Sequence, residues 1–276
     1  MGPCLGRNDH QSEQQKGIPN IGNTCYMNSV IQVLAATPNF LANLDSVKQA
    51  ELIALKNFIQ GVKLRYPSSS LSILANDFKN QISQAHPIFQ GSRENDAKEL
   101  FAIILSILGE EETVTNPFNI VFKRSFKCEE KNHIAYSEEK SNLIIIPKGA
   151  SIENHLKNMD SEKKFWGDNQ LYCEKCKKTK DITMKTERIE LPEILVLYTP
   201  KDGNSKNNTK CLNEVILEQK SYILYAVICY NSWPRHYYAY TRISEKSWRK
   251  YNDDRTSESN SLPEKNAYLL FYKSNY

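Results

Sequence analysis

Residues 17–34 read GIPNIGNTCYMNSVIQVL, a turn-forming half followed directly by an apolar half. Glycine, proline and asparagine dominate the first half, and this composition is typical of a loop. In the second half, apolar side chains recur at the spacing of one helix face, and Pro38 marks a stop. Asn23 or Thr24 can cap this helix, which places Cys25 in its first turn. The helix dipole would favour a reactive thiolate there, whereas the alternative is a small cysteine packed as an apolar residue.

The composition bounds the classes of partner. The chain has 276 residues, a net charge of +4 with both signs interspersed, and seven cysteines. This charge pattern predicts no nucleic-acid partner, and the apolar runs are too short to span a membrane. An odd number of cysteines without a secretory apolar segment favours a reducing compartment, the cytoplasm or the nucleus. We expect a monomer in which the polar residues 1–16 are flexible.

The pattern changes from helical to strand-like about 115 residues into the chain. Three further helix faces are predicted, formed by Leu52, Leu55, Ile59 and Val62, by Leu71, Leu74, Phe78 and Ile82, and by Ala97, Leu100, Phe101, Ile104, Ile107 and Leu108. Strands rich in β-branched and aromatic residues are predicted at 120–126, 141–147, 182–197, 215–217, 221–230, 236–243, 247–251 and 267–272. Polar loops are predicted at 201–210 and 253–260. This order predicts an α+β fold, with a helical lobe packed against a largely antiparallel sheet.

Two late segments supply the groups that a cysteine nucleophile needs. His236 opens a strand among aromatic residues, and Asn252 and Asp253 end another aromatic strand. A thiol hydrolase needs an imidazole to move the proton and a polar side chain to orient that imidazole. The chain order of cysteine, histidine and asparagine suits a papain-like arrangement. Each segment also has an ordinary interpretation, because histidines beside tyrosines are commonly structural and Asn-Asp-Asp is a routine turn.

Four segments together resemble the ubiquitin-specific protease family of papain-like cysteine deubiquitinases. Residues 17–34 are similar to its cysteine box, GxxNxGNTCYMNSxxQxL. HYYAY at 236–240, followed by Trp248 and YND at 251–253, resembles its histidine box. ENDAKEL at 94–100 resembles its QQDAxEFL helix, and AYLLFY at 267–272 resembles its closing strand. The resemblance covers residues 17–273 in the order of the family.

The resemblance implies a fold of the thumb–palm–fingers type. It implies a single catalytic domain at 17–276, with the thumb at about 17–115, the fingers at about 116–190 and the palm mostly at 191–276. The implied activity is cleavage of the (iso)peptide bond after the C-terminal glycine of ubiquitin on conjugated proteins, without a cofactor for catalysis. Two alternatives remain: a protease for a ubiquitin-like modifier, such as SUMO or an interferon-induced homologue, and a weakly active or inactive ubiquitin-binding scaffold.

The resemblance also implies residue roles. Cys25 matches the nucleophile, His236 the general base and later general acid, and Asn252 the residue that orients the imidazole. Asn20 matches a donor to the oxyanion, and such a donor is worth about 10²–10³-fold in rate. Asp253 matches a second acid that assists. The alternatives are a turn residue for Asn20 and a solvated turn acid for Asp253.

A C-x-x-C sequence at Cys173 and Cys176 is half of a zinc ribbon. In the family a second cysteine pair lies upstream, where this chain has Cys128 but carries Lys131 in place of the partner cysteine. His133 can supply the fourth ligand, because imidazole binds zinc well. The candidate ligands of a structural zinc ion are therefore Cys128, Cys173, Cys176 and His133. The alternative is a set of relic cysteines that bind no metal.

The chain departs from the family pattern beside the expected cleft. Glu94 and Asn95 replace two glutamines, and Arg235 replaces the glycine that precedes the histidine. Arginine adds bulk and charge beside the channel for the C-terminal tail of the modifier. These changes bear on how the modifier docks, and they are why the ubiquitin-like alternative stays open.

Overall fold

The chain forms helices first and strands afterwards, with one short helix between strands. The computed structural model describes residues 17–111, 116–201, 210–262 and 266–275, apart from the side chain of Arg188. The predicted lead-in at 1–16 and most of the predicted loop at 201–210 lie outside these residues. The helices are α1 (Cys25–Ala36), α2 (Phe40–Asn43), α3 (Ala50–Lys63), α4 (Ser68–Ala85), α5 (Ala97–Glu110) and α6 (Ile152–Lys157).

The described strands form two larger sheets and a small hairpin. They are β1 (Ile120–Cys128), β2 (Ile134–Ser141), β3 (Ile144–Ile145), β4 (Lys163–Phe165), β5 (Leu171–Cys173), β6 (Lys178–Lys180), β7 (Ile182–Glu190), β8 (Ile194–Tyr198), β9 (Glu214–Leu217), β10 (Lys220–Ser232), β11 (Arg235–Ser244), β12 (Ser247–Asn252), β13 (Arg255–Ser259) and β14 (Ala267–Ser274). The main sheet has the order β13-β12-β11-β10-β14-β8-β3, and β9 pairs with β10. The second sheet has the order β2-β1-β7-β4, and β5 pairs with β6.

The main sheet buries both of its faces, because its side chains alternate between two apolar clusters. On β10, Ala226 and Ile228 join the cluster that contains the helices, whereas Val227 and Cys229 join the cluster on the opposite face. Helix α1 lies in the first cluster, and all of its residues from Tyr26 to Leu34 are buried. A helix that is buried on every side is held by its neighbours, so the N-terminus that carries Cys25 has a fixed position.

The prediction of an α+β fold with a helical lobe on a largely antiparallel sheet is confirmed. Within the main sheet only the β3–β8 pair is parallel among the described strands. No helix in the described part of the chain is long and apolar enough to cross a membrane. The division into thumb, fingers and palm stays a prediction.

Three predictions of strand extent are wrong. The predicted loop at 253–260 contains β13, which extends the main sheet at its outer edge. The predicted strand at 182–197 is two strands, interrupted near Pro192, which has no N–H to donate to a ladder. The break lets the chain leave the second sheet as β7 and enter the main sheet as β8. The predicted strand at 141–147 is reduced to the two residues of β3.

Candidate active site

The loop before α1 is organised by the side chain of Asn20. Its Oδ1 accepts hydrogen bonds from the N–H groups of Gly22 and Thr24, both at 3.1 Å. Gly22 and Asn23 have positive φ angles of 115° and 51°, which turns the chain sharply into the helix. Thr24 stands at the N-cap position, but its hydroxyl accepts from Ile21 N–H at 3.1 Å and makes no cap bond. The predicted side-chain cap is therefore wrong, because the loop uses that hydroxyl for its own closure.

Strands β11 and β12 bring a histidine and an asparagine next to Cys25. His236 Nε2 lies 2.5 Å from Asn252 Oδ1. An amide oxygen can only accept, so Nε2 carries the proton and donates it to Asn252. That bond leaves Nδ1 as the nitrogen for the thiol of Cys25, which is half-buried at the first residue of α1. The three residues form a connected chain of sulfur, imidazole and amide.

The surroundings of His236 favour its charged form. Hydrogen bonding to the Cys25 thiol is the main cause that raises the pKa of His236 from 6.5 to about 9. The bond to Asn252 and the charge of Asp253 act in the same direction, whereas partial burial opposes them. A protonated imidazole at neutral pH is the group that stabilises a neighbouring thiolate. The geometry therefore supports a thiolate–imidazolium pair.

Asp253 ties the loop before α1 to the turn after β12. Its carbonyl oxygen accepts from Ile18 N–H at 2.9 Å, and its carboxylate Oδ2 accepts from Asn20 Nδ2 at 3.0 Å. Asp253 has a positive φ of 52°, which aims the carbonyl at the loop. A Cβ atom on Gly17 would lie only 2.0 Å from that carbonyl, so this close approach requires glycine. Asp253 is thus neither a solvated turn acid nor a direct partner of the imidazole in hydrogen bonding.

Cys25 opens into a cleft of about 220 Å³. The cleft is lined by Asn23, Cys25, Glu94, Asn95, Asp96, Tyr230, Arg235 and Tyr237. Arg235 Nη1 lies 3.5 Å from Glu94 Oε2, so an ion pair joins the start of β11 to the loop before α5 across the cleft. Both side chains are largely exposed, and such pairs contribute at most about 1 kcal/mol.

Sequence analysis missed two residues that shape this cleft. Asp96 caps α5, because its Oδ1 accepts from Lys98 N–H at 2.7 Å. Its Oδ2 accepts from the hydroxyl of Tyr268 on β14 at 2.6 Å, which anchors one wall of the cleft to the sheet. An aspartate placed directly before an apolar helical run is a cap signature, and that signal could have found Asp96. The partner Tyr268 carries no local signal.

Four candidate metal ligands meet at the tip of the second sheet. Cys128, Cys173 and Cys176 place their sulfur atoms within 4.8 Å of one another. His133 Nδ1 lies 3.6 Å from Cys176 Sγ and 3.9 Å from Cys173 Sγ. Zinc–sulfur bonds of about 2.3 Å in a tetrahedron separate ligand atoms by about 3.8 Å, so these spacings fit the ion. The cluster is compatible with a structural zinc ion.

Hydrogen bonding also prepares one of these thiols. His133 is the main cause that lowers the pKa of Cys173 to about 6. The thiolate is the form of cysteine that binds metal. His133 is further held by its backbone, because its carbonyl accepts from Cys128 N–H at 2.8 Å. The geometry therefore places His133, rather than Lys131, beside the cysteines.

Comparison with known proteins places the chain in a family. A family model described as ubiquitin carboxyl-terminal hydrolase matches residues 16–272. The probable ubiquitin carboxyl-terminal hydrolase 16 of Schizosaccharomyces pombe is 24% identical over 93% of this chain and 66% of that protein. Human ubiquitin carboxyl-terminal hydrolase 2 is 22% identical over 97% of this chain and 56% of that protein. This chain thus spans less than two thirds of the length of these relatives.

Solved structures show the same fold at low identity. The SAGA Ubp8/Sgf11/Sus1/Sgf73 DUB module bound to ubiquitin aldehyde matches with a TM-score of 0.73 and 19% identity. That match covers 95% of this chain and 70% of the other. The same module bound to monoubiquitin also matches with a TM-score of 0.73. With the family model covering nearly all of residues 17–275, the chain belongs to the ubiquitin carboxyl-terminal hydrolase family.

Proposed function

We propose that this protein is a thiol-dependent deubiquitinase. It cleaves the (iso)peptide bond after the C-terminal glycine of ubiquitin on conjugated proteins, and it needs no cofactor for catalysis. The observation that carries the proposal is the hydrogen-bonded chain of Cys25, His236 and Asn252 at the end of a cleft. Family membership supplies the substrate class. We further propose that the protein acts as a monomer in the cytoplasm or the nucleus.

The proposed reaction passes one proton through His236 in each half. The thiolate of Cys25 attacks the carbonyl carbon of the terminal glycine, and the imidazolium gives its proton to the departing lysine amine as the C–N bond breaks. The thioester that remains is attacked by water, from which the neutral imidazole takes a proton. The C–S bond then breaks, and the thiolate and the imidazolium are restored. Asn252 keeps the imidazole oriented throughout.

Asn20 is proposed to stabilise the oxyanion of both tetrahedral intermediates. One N–H of its amide donates to Asp253, and among the described residues no second acceptor holds the other N–H. The start of α1 adds the positive end of a helix dipole beside the same position. Asp253 acts through Asn20 and is therefore proposed as a positioning residue.

A protease for a ubiquitin-like modifier is the second candidate function. The observation that favours it is the Arg235–Glu94 ion pair, which narrows the entrance for the modifier's tail. A panel of C-terminal electrophile probes, made from ubiquitin and from each ubiquitin-like modifier, separates the candidates. We expect a covalent adduct at Cys25 with the ubiquitin probe. An adduct with another modifier alone would overturn the substrate, and no adduct with any probe would favour a binding scaffold.

The activity is expected to fall as pH rises through about 9. His236 must be protonated to donate to the leaving amine, and it loses this proton at its raised pKa of about 9. Removing the Asn252 hydrogen bond takes away one cause of that raised pKa. We therefore expect Asn252→Ala to move the alkaline limb of kcat/KM to lower pH, measured with a fluorogenic ubiquitin substrate. An alkaline limb that stays in place or moves upward would contradict the assignment.

The cysteine cluster is proposed to bind one structural zinc ion through Cys128, Cys173, Cys176 and His133. The purified protein is expected to contain about one zinc ion per chain. Cys173→Ser and His133→Ala should reduce the zinc content and the melting temperature, because each removes a ligand. Lys131→Ala is the matched control, since it alters the family's ligand position without removing a ligand here. Metal analysis that finds no zinc in the native protein would support the relic interpretation instead.

A further inference from the structure

Asn28 is a buried polar residue on α1 that faces away from bulk water. It lies one turn after Cys25, and only 3% of its surface is exposed. Its Nδ2 donates to Asp253 Oδ1 at 2.8 Å and lies 3.2 Å from the carbonyl oxygen of Ile18 and 3.4 Å from that of Pro19. One amide group thus holds two carbonyls of the loop before the helix together with a carboxylate from the far end of the chain.

The two carboxylate oxygens of Asp253 have different partners. Oδ1 accepts from Asn28, whereas Oδ2 accepts from Asn20. The other end of the Asn20 amide is held by the N–H groups of Gly22 and Thr24. Asn20 is therefore fixed at both its oxygen and its nitrogen. Its nitrogen depends on a carboxylate whose own orientation depends on Asn28.

The chemistry of this position favours an asparagine over the alternatives. An aspartate would place a second carboxylate against Asp253 and two carbonyl oxygens, which would repel one another. An apolar side chain would leave those acceptors without a donor. Asn28 Oδ1 is itself buried without a hydrogen-bond partner among the described residues. An orphaned buried acceptor is costly, so stability alone does not account for an amide at this position.

We propose that Asn28 is a positioning residue for the reaction, acting through Asp253 on the oxyanion donor Asn20. The proposal rests on the proposed function, because it needs a reaction that develops an oxyanion. Fixing Asp253 leaves the second N–H of Asn20 in the orientation that the tetrahedral intermediate requires. Preorganised donors act only as charge develops, so the loss should appear in kcat and not in KM.

The first test compares Asn28→Ala with Ser29→Ala, a matched control. Ser29 is equally buried, and its hydroxyl bonds the carbonyl of Cys25 at 2.7 Å within the same helix. We expect Asn28→Ala to lower kcat about 10–10²-fold with KM changed less than about twofold, since a full donor is worth about 10²–10³-fold. The rate at which iodoacetamide alkylates Cys25 should stay within about twofold, because the Cys25–His236 pair is separate. Ser29→Ala should leave all three quantities nearly unchanged.

The second test is a double-mutant cycle with Asn20→Ala. If Asn28 acts through Asn20, adding Asn28→Ala to Asn20→Ala should cost less than about threefold more in kcat. Losses that multiply, or a parallel fall in the alkylation rate, would overturn the proposal. Asp253→Asn cuts the same connection from the surface and should reproduce the loss, which keeps the test valid if Asn28→Ala does not fold.

The outcome for the wild-type protein separates this proposal from the proposed function. The assays use ubiquitin or whichever modifier the probe panel identifies as a substrate. An active wild type whose variants lack the expected pattern overturns the role of Asn28 alone. A wild type that cleaves no modifier overturns both.

Discussion

Replacing Cys25 by alanine is expected to lower kcat for ubiquitin conjugates on the order of 10⁵–10⁶-fold while leaving their binding intact. The change removes the only sulfur in the cleft of the described structure and leaves His236 without a thiol to activate. Cys25 is half-buried at the start of α1, so losing one sulfur atom should affect folding little. Steady-state turnover of a fluorogenic ubiquitin substrate, with ubiquitin binding by calorimetry, measures the two effects separately.

Cys211→Ala is the matched control for that experiment. Cys211 is also a half-buried free cysteine, but it lies outside the catalytic cleft. This variant should keep the turnover of the wild type and its reaction with the ubiquitin probe. Turnover in Cys25→Ala above about 1% of the wild type would refute covalent catalysis by this thiol.

Replacing His236 by alanine is expected to lower kcat by about 10⁴–10⁶-fold, with a distinct change in thiol reactivity. The variant loses the proton carrier of both half-reactions. It also loses the positive charge that stabilises the thiolate at neutral pH. Alkylation of Cys25 by iodoacetamide at pH 7 should therefore slow, and it should recover as the pH is raised.

Two comparisons make the His236 result specific. His86→Ala removes a half-exposed histidine near the end of α4, outside the cleft, and should leave turnover and alkylation unchanged. Cys25→Ala should not react with iodoacetamide at this position, which identifies the alkylated residue. If alkylation at pH 7 were as fast in His236→Ala as in the wild type, the thiolate–imidazolium pair would be the wrong description.

The local part of the site was predictable because its signals lie next to one another in sequence. Turn residues followed by helical periodicity place Cys25 at the start of α1, and strand patterns place His236 and Asn252 at strand ends. The bonds that position Asn20 were not predictable, because Asp253 lies 233 residues away. No periodicity or local propensity states which oxygen of Asp253 meets which amide.

The largest failures in the fold concern strands that lack an apolar face. β2 is exposed or half-exposed along its whole length, and β13 has no buried residue. Both lie at sheet edges, so their pairing comes from one neighbour and their side chains carry no alternating pattern. Buried strands such as β14 were predicted because their side chains are apolar on both faces.

The contact between Gly17, Ile18 and Asp253 has a consequence for the timing of synthesis. The nucleophile emerges early from the ribosome, whereas its base and the aspartate that holds its loop emerge last. At synthesis rates of about 5–20 residues per second, the 233 residues between Asn20 and Asp253 take roughly 10–50 s to appear. During that interval Cys25 has neither its imidazole nor a closed loop. Proteolytic competence is therefore expected to arrive only with the end of the chain, so that a nascent enzyme leaves the conjugates around it intact.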